Sequence, residues 1–245
     1  TVSDGYAITN YGTTAVTTIE GDSTVSSDAS AALTETPVAI YNQAGAALYV
    51  KGGSISVGDG SMRGSTGIMA EGGRVTVSGG VVSGGSGVGI EAHNGCNVLI
   101  SGGEVTSTNG DSVFLNNSAL TLEGGKITSG SGLGIGVSSD VGGDESGNVV
   151  GGSVTMTGGE VTNNGGNDGE VRISGGTVNG DGNSCILMSS GNLTIEKDAE
   201  VKSDGSTGIE ITGGIATISG GTVTSTSSIG IEVKDNATVI ISGGE

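Results

Sequence analysis

VLISGGEVTS, residues 98–107, decides the fold. Apolar residues alternate with others on both sides of a Gly-Gly pair, with Val98 and Ile100 before it and Val105 after it. Period-two alternation with one apolar face marks a half-buried strand. The glycines mark a corner where the backbone turns with no Cβ in the way. The phrase recurs as LYVKGGSIS at 48–56, VTVSGGVVS at 75–83, LTLEGGKITS at 120–129 and VTMTGGEVT at 154–162. It returns as VRISGGTVN at 171–179, ATISGGTVTS at 216–225 and VIISGGE at 239–245. VTTIEGDSTV at 16–25 and LTIEKDAEV at 193–201 are variants with one extra residue before the second strand.

Counted from the first turn residue, the phrases start at 21, 52, 79, 102, 124, 158, 175, 197, 220 and 243. Most steps are nearly equal, while those from 21, 52 and 124 are longer and the one from 158 is shorter. A recurring period of roughly 22–23 residues means a solenoid with one coil per repeat. A third strand follows each pair, with inward residues such as Ile68 and Ala70, Ile90 and Ala92, and Val113 and Leu115. The expected architecture is therefore one all-β domain over residues 1–245, a parallel β-helix of about ten coils with three short strands each. At a strand spacing of about 4.8 Å it makes a rod on the order of 50 Å long. The long step from 124 to 158 accommodates an insertion loop at 138–152.

Composition agrees. The 245 residues include 52 Gly, 26 Val and 20 Ile, but one Pro, no Trp and five Tyr or Phe. Glycine at that density excludes helical folds, since each costs about 1 kcal/mol in a helix interior. Collagen is excluded by the absence of a three-residue glycine period. No apolar run reaches the roughly 18 residues of a membrane span. The net charge of −18 argues against nucleic acid and anionic membrane surfaces.

Coils of the form ISGGxVT…GIxV resemble the right-handed parallel β-helix proteins of the pectate-lyase-like superfold. More narrowly they resemble Gly-rich repeat proteins of the secreted or cell-surface bacterial adhesin or carbohydrate-binding type. The resemblance covers essentially the whole chain. It implies an extracellular location, at a cell surface or secreted. It is silent on activity, because this fold hosts lyases, hydrolases, adhesins and spacers alike.

No catalytic set emerges. The His-Gly and Arg-x-Lys segments that polygalacturonase-like members carry are absent, and the single histidine, His93, reads as a turn residue. Arg172, with Asp168 and Glu170 before it, is the nearest thing to a lyase cluster, and a solvated ion pair accounts for it equally well. Asp140, Asp144 and Glu145 in the insertion are the candidate Ca²⁺ ligands, hard oxygens in a Gly-rich loop. Otherwise no cofactor is expected. Tyr6, Tyr11, Tyr41, Tyr49 and Phe114 read as scattered rather than as a sugar platform. The outward middle position of the first strand reads Thr18, Tyr49, Thr76, Leu99, Thr121, Thr155, Arg172, Thr194, Thr217, Ile240, an interrupted threonine column of the kind that ice-binding solenoids display unbroken. Cys96 and Cys185 lie about four coils apart, on the order of 19 Å, too far for a disulfide that needs Cα atoms within about 7 Å. Asn192 and Asn236 open N-x-[ST] patterns.

The ends read as open. The chain starts at Thr1 without Met or a signal peptide, as a mature product or an excised piece would. GYAITNYG at 5–12 matches the third-strand phrase VAIYNQAG at 38–45, and the chain stops where a second strand is due. Following Glu245 with Thr1 of another copy makes the step from Gly243 to the next Gly21 equal to the two steps before it. Thr1, Val2, Tyr6, Ile8, Val239, Ile241 and Glu245 are then the self-association edges, either within a longer chain or in a head-to-tail fibre. The leading expectation for function is a non-enzymatic extracellular structural or adhesive rod whose partner is itself or a host or glycan surface. A polysaccharide-binding module, with Ca²⁺ as its candidate ion, is the alternative. A polysaccharide lyase comes third.

Overall fold

The computed structural model describes residues 6–27, 36–58, 64–130, 132–138, 153–156, 160–163, 170–173, 176–180, 186–188, 192–197, 199–204 and 207–245. These form strands and no helix. The chain opens with β1 (Tyr6–Asn10), β2 (Val16–Ile19), β3 (Thr24–Ser27) and β4 (Val38–Asn42). Long and short strands then alternate: β5 (Ala47–Val57), β6 (Thr66–Glu71), β7 (Arg74–Ser83), β8 (Val88–His93), β9 (Asn97–Ser107), β10 (Val113–Asn116), β11 (Ala119–Ser129) and β12 (Leu133–Ser138). Short strands follow as β13 (Ser153–Met156), β14 (Glu160–Asn163), β15 (Glu170–Ile173), β16 (Gly176–Gly180), β17 (Ile186–Met188) and β18 (Asn192–Ile195). The last are β19 (Ala199–Ser203), β20 (Ile209–Ile211), β21 (Ile215–Ile218), β22 (Thr222–Ser225), β23 (Ile231–Val233) and β24 (Thr238–Ile241).

The strands stack in parallel as a β-solenoid. One sheet runs β1-β4-β6-β8-β10-β12-β15-β18-β21-β24, ten strands deep. That is on the order of 45 Å along the axis. A second runs β2-β5-β7-β9-β11-β13-β16-β19-β22, with β3 on β5 and β14 on β11; β17-β20-β23 form a third.

The Gly-Gly pair does less than the sequence suggests in the first half. In β5, β7, β9 and β11 the two strands expected on either side of it are one strand, bent but not broken. The ladder shifts register at the bend and resumes beyond it. Gly103 shows why only glycine serves there. Its φ is +75°, and an added Cβ would sit 2.7 Å from the carbonyl oxygen of Gly80 in the coil below.

Inward positions fall where the alternation puts them. Leu48, Val75, Val98 and Leu120 stack in one column, and Val50, Val77, Ile100 and Leu122 in the next. All are buried, each aliphatic side chain contributing about 1.5–3 kcal/mol of burial free energy. Ile40, Ile68, Ile90 and Val113 line the opposite wall. Two inward asparagines interrupt the aliphatic filling. Asn10 donates from Nδ2 to Oδ1 of Asn42 at 2.8 Å and to the carbonyl of Ala47 at 2.9 Å, so the buried amides stay paired.

Half-way along, the stacking departs from the expected column. β15 carries the first-strand phrase VRI, yet it pairs with β12, a third strand, placing Arg172 beside Gly136. β16, a second strand, then lies on β13, with Val178 beside Val154. From there each described strand sits one face short of the place its counterpart takes in the first half. The cause is length. The step from the phrase at 158 to the phrase at 175 falls about one strand and turn short of a full coil, so the next first strand arrives where a third is due. The exchange is tolerated because both strand types offer alternating aliphatic residues inward.

Candidate functional site

The slip redraws the register columns. The threonine column runs Thr18, Tyr49, Thr76, Leu99, Thr121 and Thr155, and then continues as Asn179, Lys202 and Thr224. Arg172, Thr194, Thr217 and Ile240 belong instead to the column that begins Thr9, Tyr41, Met69, Glu91, Phe114 and Gly136. The single continuous array expected from the sequence does not form.

The face made by β1, β4, β6, β8 and β10 carries the densest chemistry. Along each strand alternate residues point inward, and the residue between them is left outward once per coil. The rings of Tyr6 and Tyr41 stack with centroids 4.8 Å apart and planes 21° apart. Phe114 meets His93 at 6.3 Å, tilted by 57°. Tyr41 and Phe114 hold outward positions of third strands in different coils, with Met69 and Glu91 between them, and Tyr6 and His93 join them on this face. Between them Glu91 accepts from Thr66 Oγ1 at 3.0 Å on one oxygen and lies 3.0 Å from His93 Nε2 on the other. Glu71 accepts from Asn94 Nδ2 at 2.6 Å, and Asn94 holds a left-handed φ of +57° at the corner that follows. Glu91 and His93 remain about one-fifth exposed, at 22% and 21%. The Tyr41 hydroxyl is pushed above its ordinary range, first by burial and then by the charge of Glu71 and by Tyr6.

His93 is thus the last residue of β8, 3.0 Å from a carboxylate oxygen, and not a residue of the turn that follows. The period contained the signal: Tyr41, Met69, Glu91 and Phe114 follow one another at the coil steps of their own stretch of chain.

The other expected residues divide. Asp140, Asp144 and Glu145 lie outside the described residues, as do Thr1, Val2, Asp168 and Cys185. Among the described residues no group of three His, Cys, Asp or Glu side chains is placed to hold a metal ion. Tyr6 is exposed and Ile8 half-buried against the core at one end. At the other, Val239 is half-buried, while Ile241 is 63% exposed although its register partner Ile218 is buried. An apolar hollow of about 300 Å³ opens there, lined by Ile218, Val223, Ile231, Ile241 and Glu245. Cys96 is a buried free thiol, its pKa pushed up to about 12 by burial first and Glu71 second, and so held unreactive.

No family model matches this chain, and no curated protein or solved structure matches it. Among the described residues no helix is long and apolar enough to cross a membrane.

Proposed function

We propose that this chain is a non-enzymatic structural and adhesive rod of an extracellular protein, of the secreted or cell-surface bacterial type that its repeats resemble. The observation that carries the reading is the ten-strand parallel sheet closed over an aliphatic axis. Such a scaffold spends its sequence on a rigid interior and presents side chains in columns at strand spacing. In this reading the hollow beside Ile241 is covered by another coil, in a longer chain or in a second copy stacked head to tail. Small-angle scattering is the test. An elongated particle at least about 45 Å long supports the rod, whereas a compact globule, or turnover in a screen of polyuronides, overturns it.

A polysaccharide-binding module is the second reading, favoured by the aromatic and carboxylate residues that share one face. Its Ca²⁺-dependent form needs Asp140, Asp144 and Glu145. Glycan screening with and without EDTA separates the two forms.

A further inference from the structure

The five strands β1, β4, β6, β8 and β10 contain two carboxylates and no lysine or arginine. His93 is the one side chain on them able to carry positive charge. Glu71 accepts from Asn94, while Glu91 accepts from Thr66 on one oxygen and lies 3.0 Å from His93 Nε2 on the other, and each carboxylate has lone pairs to spare. Tyr41 and Phe114 bracket Met69 and Glu91 in one column, three strand steps apart, on the order of 14 Å, and Glu71 stands in the next column beside His93.

We propose that this face binds a glycan whose sugars carry protonated amino groups, with Glu71 and Glu91 pairing the ammonium groups and Tyr41, Met69 and Phe114 meeting the ring carbons. Charge selects the class. In a chain of net charge −18, a uronate or sulfated glycan would meet two carboxylates with no guanidinium or lysine ammonium on these strands to answer it. Geometry selects the polymer. Outward groups stack in register from strand to strand, Tyr41, Met69, Glu91 and Phe114 in one column and Glu71 and His93 in the next, which suits an extended chain with polar groups at regular intervals. A peptide would need a free strand edge or side-chain pockets. β4, β6, β8 and β10 each have neighbours on both sides, so none of these four offers such an edge. The inference rests on the reading of the chain as an adhesive rod.

The experiment is calorimetric titration of the full chain with a β-1,4-linked glucosamine hexamer, its fully N-acetylated form and an oligogalacturonate. The amino hexamer should bind, and raising salt from about 50 to about 500 mM should weaken it. Glu71→Gln with Glu91→Gln should lower its affinity about tenfold or more, with an unchanged melting temperature. Phe114→Leu, which keeps the apolar bulk, should weaken binding less than the double variant. No binding of the amino hexamer, equal binding of the N-acetylated one, tighter binding of the oligogalacturonate, or an unaffected Gln variant overturns the proposal. An elongated particle that ignores the amino hexamer ends this inference and leaves the rod standing. A compact particle ends the rod reading whatever it binds.

Discussion

Arg172 stands beside Gly136 in the ladder, not beside Thr155, the residue that occupies the same place in the preceding repeat phrase. One pairing thereby sets the order of every strand after it.

Engineered disulfides test that pairing. Neighbouring parallel strands hold paired Cα atoms about 5 Å apart, within the range a disulfide bridges. With Cys96 and Cys185 replaced by Ser, Gly136→Cys with Arg172→Cys should oxidise readily, and Thr155→Cys with Asn179→Cys likewise. Thr155→Cys with Arg172→Cys should stay reduced. A bridge in that third variant would restore the uninterrupted first-strand column.

The assignment of inward and outward residues is tested by a second pair. Ile100 is fully buried, and Ile100→Asp would put an unpaired carboxylate on the axis at a cost of several kcal/mol. Thr121 faces outward in the column beside Leu99, so Thr121→Asp should cost less than about 1 kcal/mol. Urea denaturation of the two variants reads the difference, and equal midpoints would reverse the strand phase.

Glycine at the bend can be separated from glycine at a corner. Gly95 and Gly103 share a left-handed backbone, with φ of +78° and +75°. An added Cβ meets nothing within 4 Å at Gly95 but lies 2.7 Å from the carbonyl oxygen of Gly80 at Gly103. Gly95→Ala should therefore cost only the backbone term, about 1–2 kcal/mol, and Gly103→Ala visibly more in the same thermal melts. A larger loss at Gly95 would mean that the coils are not in contact at the bend.

Cys96 predicts an alkaline weakness. Its thiol ionises near 9 when free and about 12 in the fold, so below pH 9 both states are neutral and the shift costs nothing. Between about pH 9 and 12 the unfolded chain gains by ionising and the native state loses ground, at up to about 1.4 kcal/mol per pH unit. Cys96→Ala should remove that part of the slope in melting temperature against pH. Native Cys96 should also resist alkylation at pH 8 until denaturant is added.

How much of this could be read in advance depended on distance along the chain. Ile100, Val105 and Ile68 declare their burial through neighbours two positions away, so alternation alone placed them. The pairing of Arg172 with Gly136 is a choice between two strands with the same inward pattern, and no local signal favours either. The Tyr6–Tyr41 stack and the Asn10–Asn42 amide pair join successive coils across an irregular step, so they required the register of whole coils. Asp140, Asp144 and Glu145 belong to no repeat, which deprives them of the periodic context that located everything else.

The short step has a further consequence for how such a chain can change over time. Because β15 fits where a third strand was due, the interchangeable part of this protein is the single strand and not the coil. Loss or gain of about one strand's worth of sequence leaves the interior filled, yet it rotates the whole downstream decoration to a new side of the solenoid. New combinations of surface columns then arise from a change in length alone, with no substitution at any exposed position.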